Sequence, residues 1–210
     1  MDEIVQTSVG RPKDLAKRQK ILDSAKQLFL THGYHGSSMN EIAEQAGVSK
    51  LTVYNHFQDK ATLFTCSIEH SCDSLLLAHA LHLDAQSNFK AACQQLCLIS
   101  LNVVYLPEAL KLEHLLLSLA ADQNPLAIQF YRASHGKMHD MWRAFFQQAI
   151  QLKFLKNEPI DTYIALISSL LFGYRHHQVL LGIQAIPSAA QQTQIIHQAL
   201  TIFLTQYAVL

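Results

Sequence analysis

The chain has 210 residues, half of them apolar, and sixteen basic side chains balance sixteen acidic ones. That length allows one large domain or two small ones with a well-filled core, and no run of about 18 uncharged apolar residues suggests a membrane-spanning helix. The opening MDEIVQTSVGRPKD lacks the basic-then-apolar order of a signal peptide, so the expected location is the cytoplasm, with no membrane partner.

Only seven glycines and five prolines punctuate the chain, and no stretch sustains strand alternation. The expected fold class is therefore all-α, with about nine helices. A first helix is expected from Lys13 to His32, with Ile21, Leu22, Ala25, Leu28 and Phe29 as its buried stripe and Gly33 as its stop. Ser38-Met-Asn-Glu41 has the form of a capping box, which starts a short second helix ended by Gly47. Ser49 then caps a third helix reaching Phe57, and Asp59 caps a long fourth. Further breaks are expected at Asp84 to Asn88, Leu106-Pro107, Asn124-Pro125, Asn157 to Pro159 and Ile186-Pro187. These divide the remainder into five helices, including a long one from Pro125 to Leu155 with a kink near Gly136 and one from Ile160 to Gly182.

Charge is unevenly distributed. Between Gly10 and Lys60 eight basic residues face five acidic ones, and five of the eight lie between Arg11 and Lys20. A local basic patch on a neutral protein is the minimum expected of a DNA binder, although basic helix starts also serve as solvated faces.

The segment Ser38 to Lys60 carries the strongest signal. Ala43 is small enough for a second helix to cross closely, Gly47 supplies the positive backbone angle of a tight turn, Val48 fills the corner and Val53 packs back from the third helix. This is the spacing of a helix-turn-helix. Here the chain resembles the N-terminal domain of the TetR family of repressors. The resemblance is carried by Ile21, Leu22, Ala25, Leu28, Phe29, Gly33-Tyr34, Ile42-Ala43, Ala46 to Ser49, Thr52 to Tyr54, His56-Phe57, Lys60 and Leu63. Leu51 departs from the pattern, since the family usually has a small residue there. The expected organisation is a three-helix DNA-binding domain over residues 10–60 and a ligand-binding and dimerisation domain over 61–210, joined rigidly within the fourth helix.

The exposed face of the third helix is expected in the major groove. Lys50 can donate to guanine, Asn55 can read adenine, and Leu51 or Tyr54 can touch a thymine methyl. Thr52, Tyr54, His56 and Lys60 match positions that the resemblance assigns to phosphate contacts. Ser38 stands at a helix N-terminus, whose free amides attract a phosphate, and Met39, Asn40 and Ser49 complete the candidate DNA-binding set.

Such proteins bind paired half-sites as dimers, so the expected partners are double-stranded operator DNA and a second copy of the chain. The last two helices are the candidate interface, through Ile167, Leu170, Tyr174, Leu180, Ile195, Ala199 and Phe203, because apolar residues cover most of their circumference. Pro107-Glu-Ala-Leu-Lys-Leu, then Asn124-Pro-Leu and Phe130-Tyr131, resembles the AefR-like C-terminal domain of the same family. The resemblance implies a small-molecule effector. Tyr105, His114, Phe130, Tyr131, His135, Trp142, Phe172 and His176 are the candidate pocket residues, and the absence of an arginine cluster among them favours a hydrophobic or aromatic ligand.

Twelve histidines and four cysteines raise a metal- or thiol-sensing alternative. His135/His139 and Cys93/Cys97 are i, i+4 pairs and His79/His82 is an i, i+3 pair, but no C-x2-C or H-E-x-x-H pattern occurs. No metal or other cofactor is expected. No nucleophile elbow, P-loop or dinucleotide fingerprint is present either, so an enzyme is not expected. A helical ligand-binding protein without DNA activity is the remaining alternative.

Overall fold

Local capping explains most of the helix starts. The computed structural model describes residues 12–76 and 81–209, with the backbone alone for 12, 13 and 73–76. Gly10, Arg11, the Lys13 side chain and His79 therefore lie outside the described residues. Those residues form ten helices and no strand beyond one isolated bridge, Leu155 to Ala208.

The first four helices are α1 (Pro12–His32), α2 (Met39–Ala46), α3 (Lys50–Phe57) and α4 (Lys60–Leu76). Then come α5 (Phe89–Val104), α6 (Pro107–Ala121), α7 (Leu126–Gln151), α8 (Ile160–Leu171), α9 (Gly173–Leu180) and α10 (Ala189–Tyr207). The chain divides into two units after Ser71.

In the first unit α1 ends at Gly33, whose φ of +73° suits a residue without a Cβ. Its stripe of Ile21, Leu22, Ala25 and Phe29 is fully buried, as are Ile42, Val53, Phe57, Leu63, Phe64 and Ile68. Phe29 and Phe64 meet edge to face at 5.0 Å, and Tyr34 contacts the Phe64 ring at 5.1 Å. Burying a side chain of this size contributes about 1.5–3 kcal/mol, so these rings anchor α1 and α4 around the two short helices. Asp59 caps α4 by accepting from Thr62 N–H at 2.7 Å.

The second unit packs α5, α7, α8 and α10 around Trp142, Phe145, Phe146, Tyr163, Ile167 and Phe203. Phe146 touches Tyr163 and Phe203 at 5.4 and 5.5 Å. Lys156 N–H donates to Tyr207 O and Val209 N–H to Phe154 O, both at 3.0 Å, tying the end of α10 to the loop after α7.

One expected helix needs correction. Ten helices replace about nine because the expected Ile160–Gly182 helix is broken at Phe172, where φ and ψ are −101° and −60° and Gly173 follows at φ +40°. The apolar run through this point obscured the break, for which Gly173 was the only local signal. The 26-residue α7 runs through Gly136 without a break.

These two kinds of glycine give a paired prediction. Gly47→Ala places a Cβ at φ +66° and should lower unfolding free energy by ~1–2 kcal/mol. Gly136→Ala, helical with open space around its Cβ, should raise it by ~0.5–1 kcal/mol. Urea unfolding followed by circular dichroism distinguishes them, and effects of the same sign contradict the assignment.

Candidate functional site

The site begins at the corner between α2 and α3. Gly47 sits in the left-handed region (φ 66°, ψ 37°) and donates to Glu44 O at 3.1 Å, while Val48 N–H donates to Ala43 O at 3.0 Å. This closes α2 in the manner of a Schellman turn and redirects the chain at once into α3. Ser49 Oγ accepts from Thr52 N–H at 3.1 Å and fixes the first turn of α3. Val53 and Phe57 face the core, so Lys50, Leu51, Tyr54 and Asn55 are left on the outside. Leu51 is 70% exposed, which is notable for a leucine on a fixed helix.

At the other end of α2, Ser38 and Glu41 form a reciprocal capping box. Glu41 N–H donates to Ser38 Oγ at 3.2 Å, and Ser38 N–H donates to Glu41 Oε2 at 2.8 Å. The Ser38 hydroxyl and then its backbone amide hold the Glu41 carboxyl below its ordinary range. The first i→i−4 bond runs from Ile42 N–H to Ser38 O, so the amides of Met39 and Asn40 precede it and point out of the helix start. Ser38, Asn40, Lys50, Tyr54, Asp59 and Lys60 line one concave surface with Ser37 and Met39. Lys60 Nζ lies 4.5 Å above the Tyr34 ring, and Lys50 Nζ lies 5.8 Å from that of Tyr54. Partial burial lowers the Lys60 pKa, opposed by the nearby Glu41. Two ammonium groups, a helix N-terminus and a phenol surround one hollow together with the Asp59 carboxylate, and amides and ammonium groups of this kind are donors that suit phosphate oxygens.

With this geometry in place the comparisons decide the family. Residues 21–65 match the model of bacterial regulatory proteins of the tetR family, and residues 91–209 match the AefR-like transcriptional repressor C-terminal domain. The chain belongs to the TetR family. It is a transcription regulator with a helix-turn-helix DNA-binding domain, not an enzyme. It is 38% identical over 65 residues to the transcriptional activator FasR of Mycolicibacterium smegmatis, a match covering 31% of this chain and 29% of that protein. The chain thus matches less than a third of FasR's length. Similarity to the regulator SrpR of Pseudomonas putida is 24% identity across 89% of this chain and 83% of SrpR. The solved structure of the flavonoid-responsive regulator FrrA shares the fold with a TM-score of 0.78 at 24% identity, covering 91% of this chain and 97% of that one.

Within this TetR-family regulator, two of the expected DNA contacts are placed differently. Met39 is only 6% exposed, so its side chain packs largely inward. His56 pairs with Asp14 through Nε2 at 3.2 Å, with 13% of its side chain exposed, so one of its two ring nitrogens is already occupied. Thr52 is half-buried and its hydroxyl meets Ser49 Oγ at 2.8 Å. Ser37 was missed: it is buried, and its Oγ donates to Gly33 O at 2.8 Å. Tyr34 and Arg18 were missed as supports, the latter lying 5.1 Å from the Phe57 ring centre. Of these, only Tyr34 left a local trace, in the Gly33-Tyr34 match.

In the second unit the structure sorts the expected pocket residues. His135 is committed at both ring nitrogens, Nε2 to Glu113 at 3.0 Å and Nδ1 to Ser134 Oγ at 2.9 Å. His114 Nε2 meets Leu180 O at 2.7 Å. Phe130 is fully buried, whereas Tyr131 is 55% exposed and stacks on His135 at 4.9 Å. Tyr131 is therefore a surface ring rather than an enclosed one. Tyr105, Phe172 and His176 come together, with ring centres of His176 at 5.6 Å from Tyr105 and 6.0 Å from Phe172.

The expected dimer residues divide similarly. Ile167 and Phe203 are fully buried, so they support the core of the unit from within instead of facing outward, whereas Ala199, although nearly buried, lines an open groove. Leu170, Leu180 and Ile195 are half-buried, and Tyr174 is 77% exposed. Leu170, Tyr174 and Ile195 line an open groove with Ile202, which was missed and is half exposed.

The sensing alternatives find little support. His135 pairs with Glu113 but His139 with Asp161, at 3.6 Å, and among the described residues no three His, Cys, Asp or Glu side chains are arranged to hold a metal. Burial pushes the Cys97 thiol up to about 12 and raises Cys93 further, and burial also raises Cys66. Thiols so shifted contribute little reactive thiolate at neutral pH. Among the described residues no single helix is long and apolar enough to cross a membrane.

The hollow yields a second prediction. Lys60→Ala should weaken binding to specific and random duplexes alike and reduce the slope of log affinity against log salt by ~1. Fluorescence anisotropy across a salt series measures both, and a loss confined to one sequence contradicts a phosphate role.

Proposed function

We propose that the chain is a one-component repressor that binds palindromic operator DNA as a homodimer and is released by a small hydrophobic or aromatic effector. The observation that carries this reading is the convergence of Ser38, Asn40, Lys50, Tyr54 and Lys60 on one hollow beside the exposed face of α3. Phosphates seated there fix the register of α3 in the major groove, while Lys50 reads guanine, Asn55 reads adenine, and Leu51 offers an apolar contact to a thymine methyl.

Dimerisation rests on the groove lined by Leu170, Tyr174, Ile195 and Ile202. Apolar side chains this exposed beside one another favour coverage by the same surface of a second copy, since a two-fold interface is self-complementary. A hydrophobic or aromatic effector is supported by the aromatic character around Tyr105, Phe172 and His176, and FrrA, which shares the fold, is flavonoid-responsive by name. Repression is the mode named for the AefR-like domain model.

A gel-shift on DNA flanking its own gene tests the reading, with a retarded band expected. In that assay Lys50→Ala should cost ~1–3 kcal/mol, concentrated at one base position; equal loss on operator and random DNA removes the base-reading role. Tyr174→Asp should turn a dimer into a monomer by sedimentation at micromolar protein and weaken operator binding by at least about tenfold. A wild-type chain that is monomeric there contradicts the homodimer.

A further inference from the structure

A lysine at the rim of a hollow normally swings through many rotamers, and its long stem loses that freedom when a ligand captures it. Lys60 is held already. It opens α4, is half-buried, and lies with Nζ 4.5 Å above the centre of the Tyr34 ring, inside the ~6 Å reach of a cation–π contact. Phe64, one turn further along α4 at i+4, meets the same ring edge-on at 5.1 Å. Tyr34 also stacks on Phe29 at 6.0 Å. Both phenylalanines are fully buried, so the Tyr34 ring rests on the core of the unit and gives the lysine a fixed support.

The kind of support matters as much as its position. Two carboxylates border the lysine, Glu41 through its charge and Asp59 on the wall of the same hollow. Both are engaged at helix starts. Glu41 Oε2 accepts from Ser38 N–H and from the Ser38 hydroxyl, each at 2.8 Å, and Asp59 Oδ1 accepts from Thr62 N–H at 2.7 Å. A carboxylate bound to an ammonium group has to be displaced by an incoming phosphate, whereas a ring face holds the cation without neutralising it. His56, paired with Asp14 at 3.2 Å, has the first kind of partner, and Lys60 has the second. Burial, and then the Asp59 charge, raise the Tyr34 pKa, so the ring is a neutral phenol. Burial lowers the Lys60 pKa, and Glu41 opposes this by favouring the ammonium form.

We propose that Tyr34 is a positioning residue of the DNA site, whose ring face holds the Lys60 ammonium at the hollow beside the start of α2 for contact with a backbone phosphate. The inference rests on the reading of that hollow as a phosphate site. Tyr34 is not among the residues that line the hollow, so it acts through the lysine, and its contribution disappears when the lysine is removed. The attraction comes from the electron density of the ring face. That density, rather than the phenol hydroxyl, therefore sets how firmly the ammonium is held.

Full-length protein is titrated at low salt with a fluorescein-labelled duplex of random sequence, because a phosphate contact needs no operator. Tyr34→Leu should weaken binding about two- to fivefold, the equivalent of a cation–π contact at a partly exposed site, and the conservative Tyr34→Phe should rescue it. Replacing Tyr34 with mono-, di- and trifluorinated phenylalanine then drains the ring face of electron density with little change in its volume. Affinity should fall stepwise along that series, and stay level when the series is repeated in Lys60→Ala protein. The fluorinated rings keep the packing on Phe29 and Phe64, so they give the answer even where Tyr34→Leu fails to fold. A merely structural Tyr34 gives a flat series, or equal losses with and without Lys60, and either result overturns the proposal. Lys60→Ala protein that binds as tightly as the wild type overturns the phosphate reading and the proposal together. A weakened Lys60→Ala beside a flat fluorine series overturns the role of Tyr34 alone.

Discussion

A left-handed residue at the corner between two short helices sets everything the first unit can do. Gly47 takes φ 66° and is followed directly by Val48 N–H donating to Ala43 O. An L-residue held in that region sacrifices roughly 1–2 kcal/mol, so the reversal depends on glycine. With the corner closed, Val53 and Phe57 have to face the core, and the 3.6-residue period then leaves Lys50, Leu51, Tyr54 and Asn55 facing outward. The surface proposed to read DNA is what remains after the core has claimed its side of an eight-residue helix.

The second constraint is that the groups proposed to meet phosphates are already held in place in the free protein. The Ser38–Glu41 capping box fixes the start of α2, and the Phe29–Tyr34–Phe64 cluster holds the ring over which Lys60 lies. A long lysine stem ordered in the free protein loses less freedom on binding. The hollow therefore combines two ammonium groups with backbone amides on fixed supports, and backbone contacts of this kind position a reader without specifying sequence.

Features that depend on neighbouring residues were legible in the sequence. The caps at Ser38, Ser49 and Asp59 and the stop at Gly33 each need only three or four residues to act, and each is present. Features that depend on distant partners were not. Nothing around His56 announces that Asp14 of α1 takes its Nε2, and nothing beside Met39 shows that the core encloses its side chain. The same reason separates Ile167 and Phe203, enclosed by their own subunit, from Tyr174 and Ile202, left exposed. On two apolar helices the hydrophobic pattern cannot say which side faces in. In the second unit, composition selected His114, His135 and His176 together, and only the contacts distinguish the two whose ring nitrogens bond within the fold from His176, whose buried Nδ1 has no partner among the described residues.

The central claim is that DNA is held by the start of α2 and the outer face of α3. Amide hydrogen exchange with and without a duplex selected for binding tests it most directly. Slowed exchange should concentrate at Met39, Asn40 and residues 50–55 on adding the duplex, while the buried stripe of α1 around Ile21 and Ala25, protected already, stays unchanged. Binding of the duplex with no added protection at α2 and α3, or with protection confined to the second unit, would contradict the account.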